Sequence, residues 1–395
     1  MNGGKERMRY IVYFVNFLFS FAGAVTLYSN SSFIGGIVGI QWVGILYTLG
    51  AILCIWVLTR AGKILARGGN RTFFLGYGAL YSLSLALLIL PTGSVLRILG
   101  FVLYLFSTNV LAFSINVFFH HLAPLRKRGK ARGFFLLLGN IGIMLGPVIA
   151  THVIDLSGYL GTYALDIAVF ALIAVIVELC FARYKDAEYH FGHIETAVRH
   201  TFRDTRLRNV ISANFILQFF YAWMIVYTPI YLSQYLGYSW DSIGIIFSIM
   251  LLAFVILDYP LGRLADWLGS EKELAALGFL LMAGCVFTLA FVPIKSVAAM
   301  GVLLFCSRVG AATVEAMTEI HFFKIAKDSD PGLLSLFCDI RPLSYVIAPL
   351  LGVIALAFLP FKMMFAVLGV ILILGFFIAL HLERKDAWWV RAHKE

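Results

Sequence analysis

Arg308, Glu315 and Glu319 fall at intervals of seven and four in a stretch otherwise rich in Ala, Val, Gly, Met and Phe. At 3.6 residues per turn these intervals put all three side chains on one helix face. The next apolar stretch carries Asp339 and Arg341. Charges held where water is scarce can fix packing as a static ion pair. They can also exchange protons, because neutralising the acid removes half of the pair and frees its arginine. Both readings stay open on the residues alone. Glu315 lies nine residues before the end of its stretch and Arg341 about nine after the start of the next. At 1.5 Å per residue each sits roughly 14 Å deep, so the two are expected to pair. Glu319, nearer the end, is the more readily hydrated carboxylate and the first candidate for proton exchange. Arg308, deeper on the same face, is suited to a substrate anion or a second carboxylate.

A second set of candidates is polar but uncharged. Asn109, Asn116 and His120 recur at seven and four, Asn16 and Ser20 at four, and Asn214, Gln218 and Tyr221 at four and three. Amides and hydroxyls both give and accept hydrogen bonds, which suits the lining of a cavity for neutral or amphipathic solutes. Bonds between helices are the plainer use of each amide. His120, His121 and His321 sit near stretch ends, where interfacial histidines are commoner than proton relays.

These residues require elements that live in lipid. The chain is 61% hydrophobic and 13% charged, with a mean hydropathy of +0.90 over 395 residues. A hydrocarbon core of about 30 Å takes about 20 apolar residues per helix, and twelve such runs recur. They are spans 1 to 12, in order 11–30, 37–59, 72–91, 96–120, 133–154, 162–183, 209–234, 241–261, 274–293, 297–324, 332–357 and 362–382. The predicted fold class is an all-α membrane protein with twelve transmembrane helices in two six-helix pseudo-symmetric bundles. The expected division is 1–184, a cytoplasmic linker 185–208, and 209–395 with a short tail. With the N-terminus inside, 26 of the 31 Lys and Arg residues fall on cytoplasmic segments, as the positive-inside rule expects. Both termini are therefore expected in the cytoplasm, and the formal charge of +10 is read as topology and contact with the anionic bilayer surface, not nucleic-acid binding.

Several lookalikes are set aside. The basic start followed by Ala22-Gly23-Ala24 resembles a cleavable signal, but the equivalent second-half run cannot be one, so span 1 is read as retained. Asn30-Ser31-Ser32 is a formal glycosylation sequon. Cys54, Cys180, Cys285, Cys306 and Cys338 all fall in apolar runs without metal-type spacing, so no disulfide, metal or cofactor is expected. His190, His193 and His200 fit an amphipathic cytoplasmic segment better than a metal site. Trp388 and Trp389 read as interfacial anchors. Asp166 and Glu178 of span 6 are expected to pair locally or to reach a membrane interface.

A loop occurs twice, as Gly62-Lys63-Ile64-Leu65-Ala66-Arg67-Gly68-Gly69 and, 200 positions on, as Gly262-Arg263-Leu264-Ala265-Asp266-Trp267-Leu268-Gly269. The same offset aligns Val43-Gly44-Ile45-Leu46-Tyr47 with Ile243-Gly244-Ile245-Ile246-Phe247 and His121 with His321. Internal duplication in an apolar chain marks a transporter core. With twelve spans, a central insert and this loop after the second span of each half, nearly the whole chain resembles the major facilitator superfamily. The second copy matches that family's loop signature through Gly262, Asp266, Gly269 and Lys272, with Trp267 replacing a basic residue. The first matches through Gly62, Arg67, Gly69 and Arg71, with Ala66 where the acid belongs. The resemblance implies a conformational latch in which Asp266, with Asp258 nearby, meets the start of span 11 at Pro331 and Gly332, because a carboxylate there engages unpaired N–H groups. In span 5, Gly142, Gly146 and Pro147 resemble the Gly-x-x-x-Gly-Pro pattern of drug/proton antiporters, although Ala150 and Thr151 replace the glycines that usually follow; a packing kink explains the segment as well.

The expectation is a monomeric plasma-membrane transporter, not an enzyme, that moves small neutral or amphipathic molecules by alternating access with proton coupling, and in the export direction. A proton-coupled sugar or nutrient symporter is the rival within transport. A non-transporting membrane sensor or scaffold is the rival of another class. Catalysis finds no nucleophile with an adjacent base and no phosphate loop.

Overall fold

The computed structural model describes residues 2–90, 93–123, 128–182, 199, 201–268, 271–325 and 331–382, without the side chains of 2–4, 128–130, 258–268, 331–332, 334–335 and 338–339. The described residues are helical throughout, joined by short turns, and contain no strand.

Among the described residues, ten helical stretches are long and apolar enough to cross a membrane. Two of them, Ile40–Ile89 and Ala131–Phe181, run to 50 and 51 residues. Straight, each would reach about 75 Å, more than twice the hydrocarbon thickness. Each instead contains one glycine in a left-handed conformation, Gly69 (φ 71°) and Gly158 (φ 67°). Only glycine adopts that backbone without a Cβ penalty, and it reverses the chain between spans. Spans 2 and 3 therefore meet at Gly69 and spans 5 and 6 at Gly158, which brings the crossings to twelve.

Span 1 (Asn2–Leu27) does not run on to residue 30. The chain turns at Tyr28 and Ser29 and forms a further helix, Asn30–Val38, which closes at Gly39 (φ 87°) before span 2. The sequon lies inside this helix: Asn30, Ser31 and Ser32 are buried, and Asn30 accepts a 2.8 Å bond from the Tyr163 hydroxyl. It is a packing element and no glycan acceptor. Span 7 (Thr205–Ile230) starts at an N-cap, since Asp204 Oδ1 accepts from the Arg206 backbone N–H at 2.9 Å. Partial burial pushes the Asp204 carboxyl up, but donation from the Arg206 side chain and backbone outweighs it and holds the group below its ordinary value. Past Pro229 the helix widens into a π turn, Tyr231–Tyr235.

The chain forms two compact units, one of Met1–His190 with Ile225–Ser248, the other of Phe191–Met224 with Ile249–Glu395. In the first, spans 1 and 5 pack backbone against backbone. A Cβ on Gly142 would lie 2.7 Å from the Phe17 carbonyl oxygen, and one on Gly146 would lie 2.7 Å from the Ala24 carbonyl carbon. Residues from 225–248 join this unit through Phe247 on Tyr28 (ring centroids 4.5 Å) and Ser248, which donates to the Met144 carbonyl at 3.4 Å. Among the described residues, Cys54, Cys180, Cys285 and Cys306 are in no disulfide.

Candidate functional site

In the second unit, Asn214, Gln218 and Tyr221 share one face of span 7 and meet the charged faces of span 10 (Val297–Ile325) and span 11 (Pro331–Phe358). The Tyr221 hydroxyl donates to Glu315 Oε2 at 2.8 Å. Arg341 Nε donates to Gln218 Oε1 at 3.1 Å, Gln218 Nε2 reaches Asn214 Oδ1 at 3.4 Å, and Asn214 Nδ2 reaches the Phe337 carbonyl at 3.5 Å. Arg308 is 2% exposed, and its guanidinium lies over the rings of Phe220 (5.0 Å) and Tyr221 (5.4 Å). Among the described residues its Nε finds no acceptor. Such a cation–π contact lowers the cost of burying a guanidinium.

The expected Glu315–Arg341 ion pair does not form: no contact within 4.0 Å links them, and each is held by a different residue of span 7. Helix spacing sets depth but leaves azimuth open, and span 7 supplies side chains of matching depth to both. Glu319 is exposed, one turn beyond Glu315 on the same helix. The side chain of Asp339 lies outside the described residues.

The uncharged candidates of the first unit do not converge. Asn16 Nδ2 donates to the Phe135 carbonyl at 2.8 Å and ties span 1 to span 5. Asn109 donates to the Leu105 carbonyl of its own helix, at 2.8 Å. Asn116 Oδ1 accepts from Arg132 at 2.6 Å. The polar cluster of this unit forms instead around Asp166, which accepts from the Tyr81 hydroxyl at both oxygens (2.8 Å each) and from Thr26 at 3.3 Å. Asp166, expected to pair locally or to reach a membrane interface, is instead fully buried among hydroxyls. The one signal in the sequence was an acid in the middle of an apolar run; Thr26, Tyr81 and Tyr104 do not stand out among the other polar residues of spans 1, 3 and 4.

A sequence profile of the Major Facilitator Superfamily matches residues 10–327. The chain belongs to this superfamily. Two solved structures share the fold with a TM-score of 0.72 and 0.71, at 14% identity and covering 95% of both chains. One is a POT family transporter in complex with 5-aminolevulinic acid, the other a POT family transporter in complex with a thioalcohol conjugated peptide. No curated protein matches. Membership makes the chain a multi-pass membrane protein and a secondary transporter rather than an enzyme.

In this facilitator the first loop copy is held by residues beside the signature. Gly62 is half-buried and Arg67 exposed, whereas Asn70 is buried and exchanges bonds with span 4: its Nδ2 donates to the Ser114 carbonyl at 2.9 Å and its Oδ1 accepts from Ser114 Oγ at 2.7 Å. Arg71 pairs with Glu178 of span 6, so that acid does have a local partner. In the second copy Gly269 and the side chains of Asp258, Gly262 and Asp266 lie outside the described residues. Beyond that loop, Glu271 accepts from Lys324 and lies 3.3 Å from His321 Nδ1, which clamps the start of span 9 to the end of span 10. In span 5, Pro147 leaves the helix unbroken.

Proposed function

We propose that this facilitator moves small neutral or amphipathic organic molecules across the plasma membrane by alternating access, with both termini cytoplasmic, coupled to protons and in the export direction. The observation that supports coupling is the Glu315 carboxylate, half-buried, bonded to Tyr221 and close to the buried Arg308, which stacks on that same tyrosine. Protonating Glu315 removes a charged acceptor from the Tyr221 hydroxyl and a negative charge from the neighbourhood of Arg308. Both changes lower the cost of rearranging spans 7 and 10. Glu319, exposed one turn away, is placed to pass the proton to and from water. Asn214, Gln218 and Tyr221 supply hydrogen bonds to a neutral solute, and Phe220 and Phe254, whose ring lies 6.1 Å from Tyr221, supply apolar walls. Asp266, with Asp258, acts as the latch on the start of span 11, and the chain works as a monomer.

Export rests on the Gly142, Gly146 and Pro147 pattern. Import by proton symport is the second reading, favoured by the fold shared with POT family transporters solved with 5-aminolevulinic acid and a peptide conjugate. Proteoliposomes with an imposed pH gradient, screened with lipophilic cations, neutral drugs, sugars and short peptides, separate them. Accumulation against the proton gradient's direction supports export, and accumulation along it supports import. Binding without movement would contradict transport and favour a sensor.

A further inference from the structure

Asp166 is 0% exposed in span 6, and among the described residues no cation lies within 4.0 Å of it. A carboxylate buried at membrane depth is costly and marks a functional group by default. Its surroundings are hydroxyls from three other spans: Tyr81 of span 3 at 2.8 Å from both oxygens, Thr26 of span 1 at 3.3 Å from Oδ2, and, behind Thr26, the Tyr104 hydroxyl of span 4 at 2.6 Å. Thr26 Oγ1 also lies 3.1 Å from the Gly23 carbonyl of its own helix.

Counting protons shows what this cluster can do. A threonine hydroxyl has one proton to give and two lone pairs with which to accept. With Asp166 ionised, the Thr26 proton goes to the carboxylate and Tyr104 donates to Thr26. With Asp166 protonated, the carboxyl itself donates to the Thr26 oxygen, Tyr104 still donates there, and the Thr26 proton turns to the Gly23 carbonyl. Every donor keeps an acceptor in both states, and the change is delivered to span 1 just before its break at Tyr28 and Ser29.

We propose that Asp166 is a proton-binding site, separate from Glu315, whose occupancy is relayed through Thr26 to the outer end of span 1. The other titratable groups facing the cluster are Tyr81, Tyr104 and, on span 6 itself, Tyr163, with Tyr47 of span 2 next to Tyr163. Span 1 contributes Thr26 and the helix after it Asn30, which do not titrate. Phenols ordinarily ionise near pH ~10, so across the carboxylate range Asp166 is the one group of the cluster that changes charge. This proposal does not depend on the coupling assigned to Glu315.

The test needs no substrate. Infrared difference spectra of the full chain in lipid vesicles are recorded between acidic and alkaline pH, alongside amide hydrogen exchange over residues 23–30. Expected are a protonated-carboxyl C=O band that is lost in Asp166→Asn and kept in Glu315→Gln, and a protection at 23–30, the exchange corrected for the intrinsic amide rate at each pH, that depends on pH in the native chain and becomes pH-independent in Asp166→Asn and in Thr26→Val. Tyr81→Phe, which removes a donor and leaves the acid, shifts the band and serves if Asp166→Asn does not fold. A band untouched by Asp166→Asn or unmoved by Tyr81→Phe, protection at 23–30 that does not change with pH, or a response to Na+ at fixed pH overturns the proposal.

Discussion

A double-mutant cycle on Tyr221 and Glu315 reports the charge state of the proposed coupling acid. The two side chains meet through one bond, Tyr221 O–H to Glu315 Oε2 at 2.8 Å. A hydrogen bond to an ionised group contributes roughly 1.5–3 kcal/mol, whereas polar pairs between membrane helices average about 0.6 kcal/mol, with a maximum near 1.7. The coupling energy therefore separates the states. Tyr221→Phe, Glu315→Gln and the double variant are unfolded reversibly in mixed micelles, at neutral pH and at a pH acid enough to protonate an exposed carboxylate. The expected coupling is about 2 kcal/mol at neutral pH, falling toward about 0.6 kcal/mol in acid. Arg308, stacked on the Tyr221 ring at 5.4 Å, belongs to the same network, so the cycle is repeated in Arg308→Met to isolate the pair. Coupling near zero at both pH values would refute the reasoning, because Glu315 would then have no energetic stake in the face of span 7 that it touches.

Three further outcomes follow from the same geometry. Gly146→Ala sets a methyl against the Ala24 backbone, so spans 1 and 5 must separate; overpacking of this kind costs about 1–3 kcal/mol, read as a lowered thermal midpoint in detergent, and an unchanged midpoint contradicts the packing. Asp204→Ala removes the N-cap of span 7 and lowers stability by about 1 kcal/mol. Because the folded-state pKa of Asp204 is depressed, that contribution is present above the ordinary carboxylate range and is lost as pH falls through the lower folded value, so native and variant converge in acid. Asp266→Asn shifts the balance of inward-facing and outward-facing states, measured by paired spin-label distances; an unshifted distribution removes the latch.

The crossings were legible because they depend on composition along the chain. Gly69 and Gly158 fall where the apolar runs pause, and their left-handed backbones complete the count. The helix Asn30–Val38 was not foreseen, since residues 31–36 fall between two apolar runs and only the packing with Tyr163 and its surroundings buries the serines. The candidate site was legible in its membership and not in its pairings. Intervals of seven and four put Arg308 and Glu315 on one face, but whether Arg341 met Glu315 or Gln218 depended on helix rotation, which no spacing encodes. The Asp166 cluster was hidden for a related reason. Thr26, Tyr81 and Tyr104 are each ordinary in a membrane helix, and only the packing of four spans makes them one hydrogen-bonded group.

The most direct test of proton coupling through the second unit is transport in proteoliposomes of whichever substrate the screen identifies, with Glu315→Gln and Glu319→Gln beside the native protein. Gradient-driven accumulation is measured together with gradient-free exchange of labelled for unlabelled substrate. Both variants are expected to lose accumulation and keep exchange, since the acids carry the proton and not the solute. Full accumulation in both variants would contradict it and leave the Tyr221–Glu315–Arg308 core a static packing element.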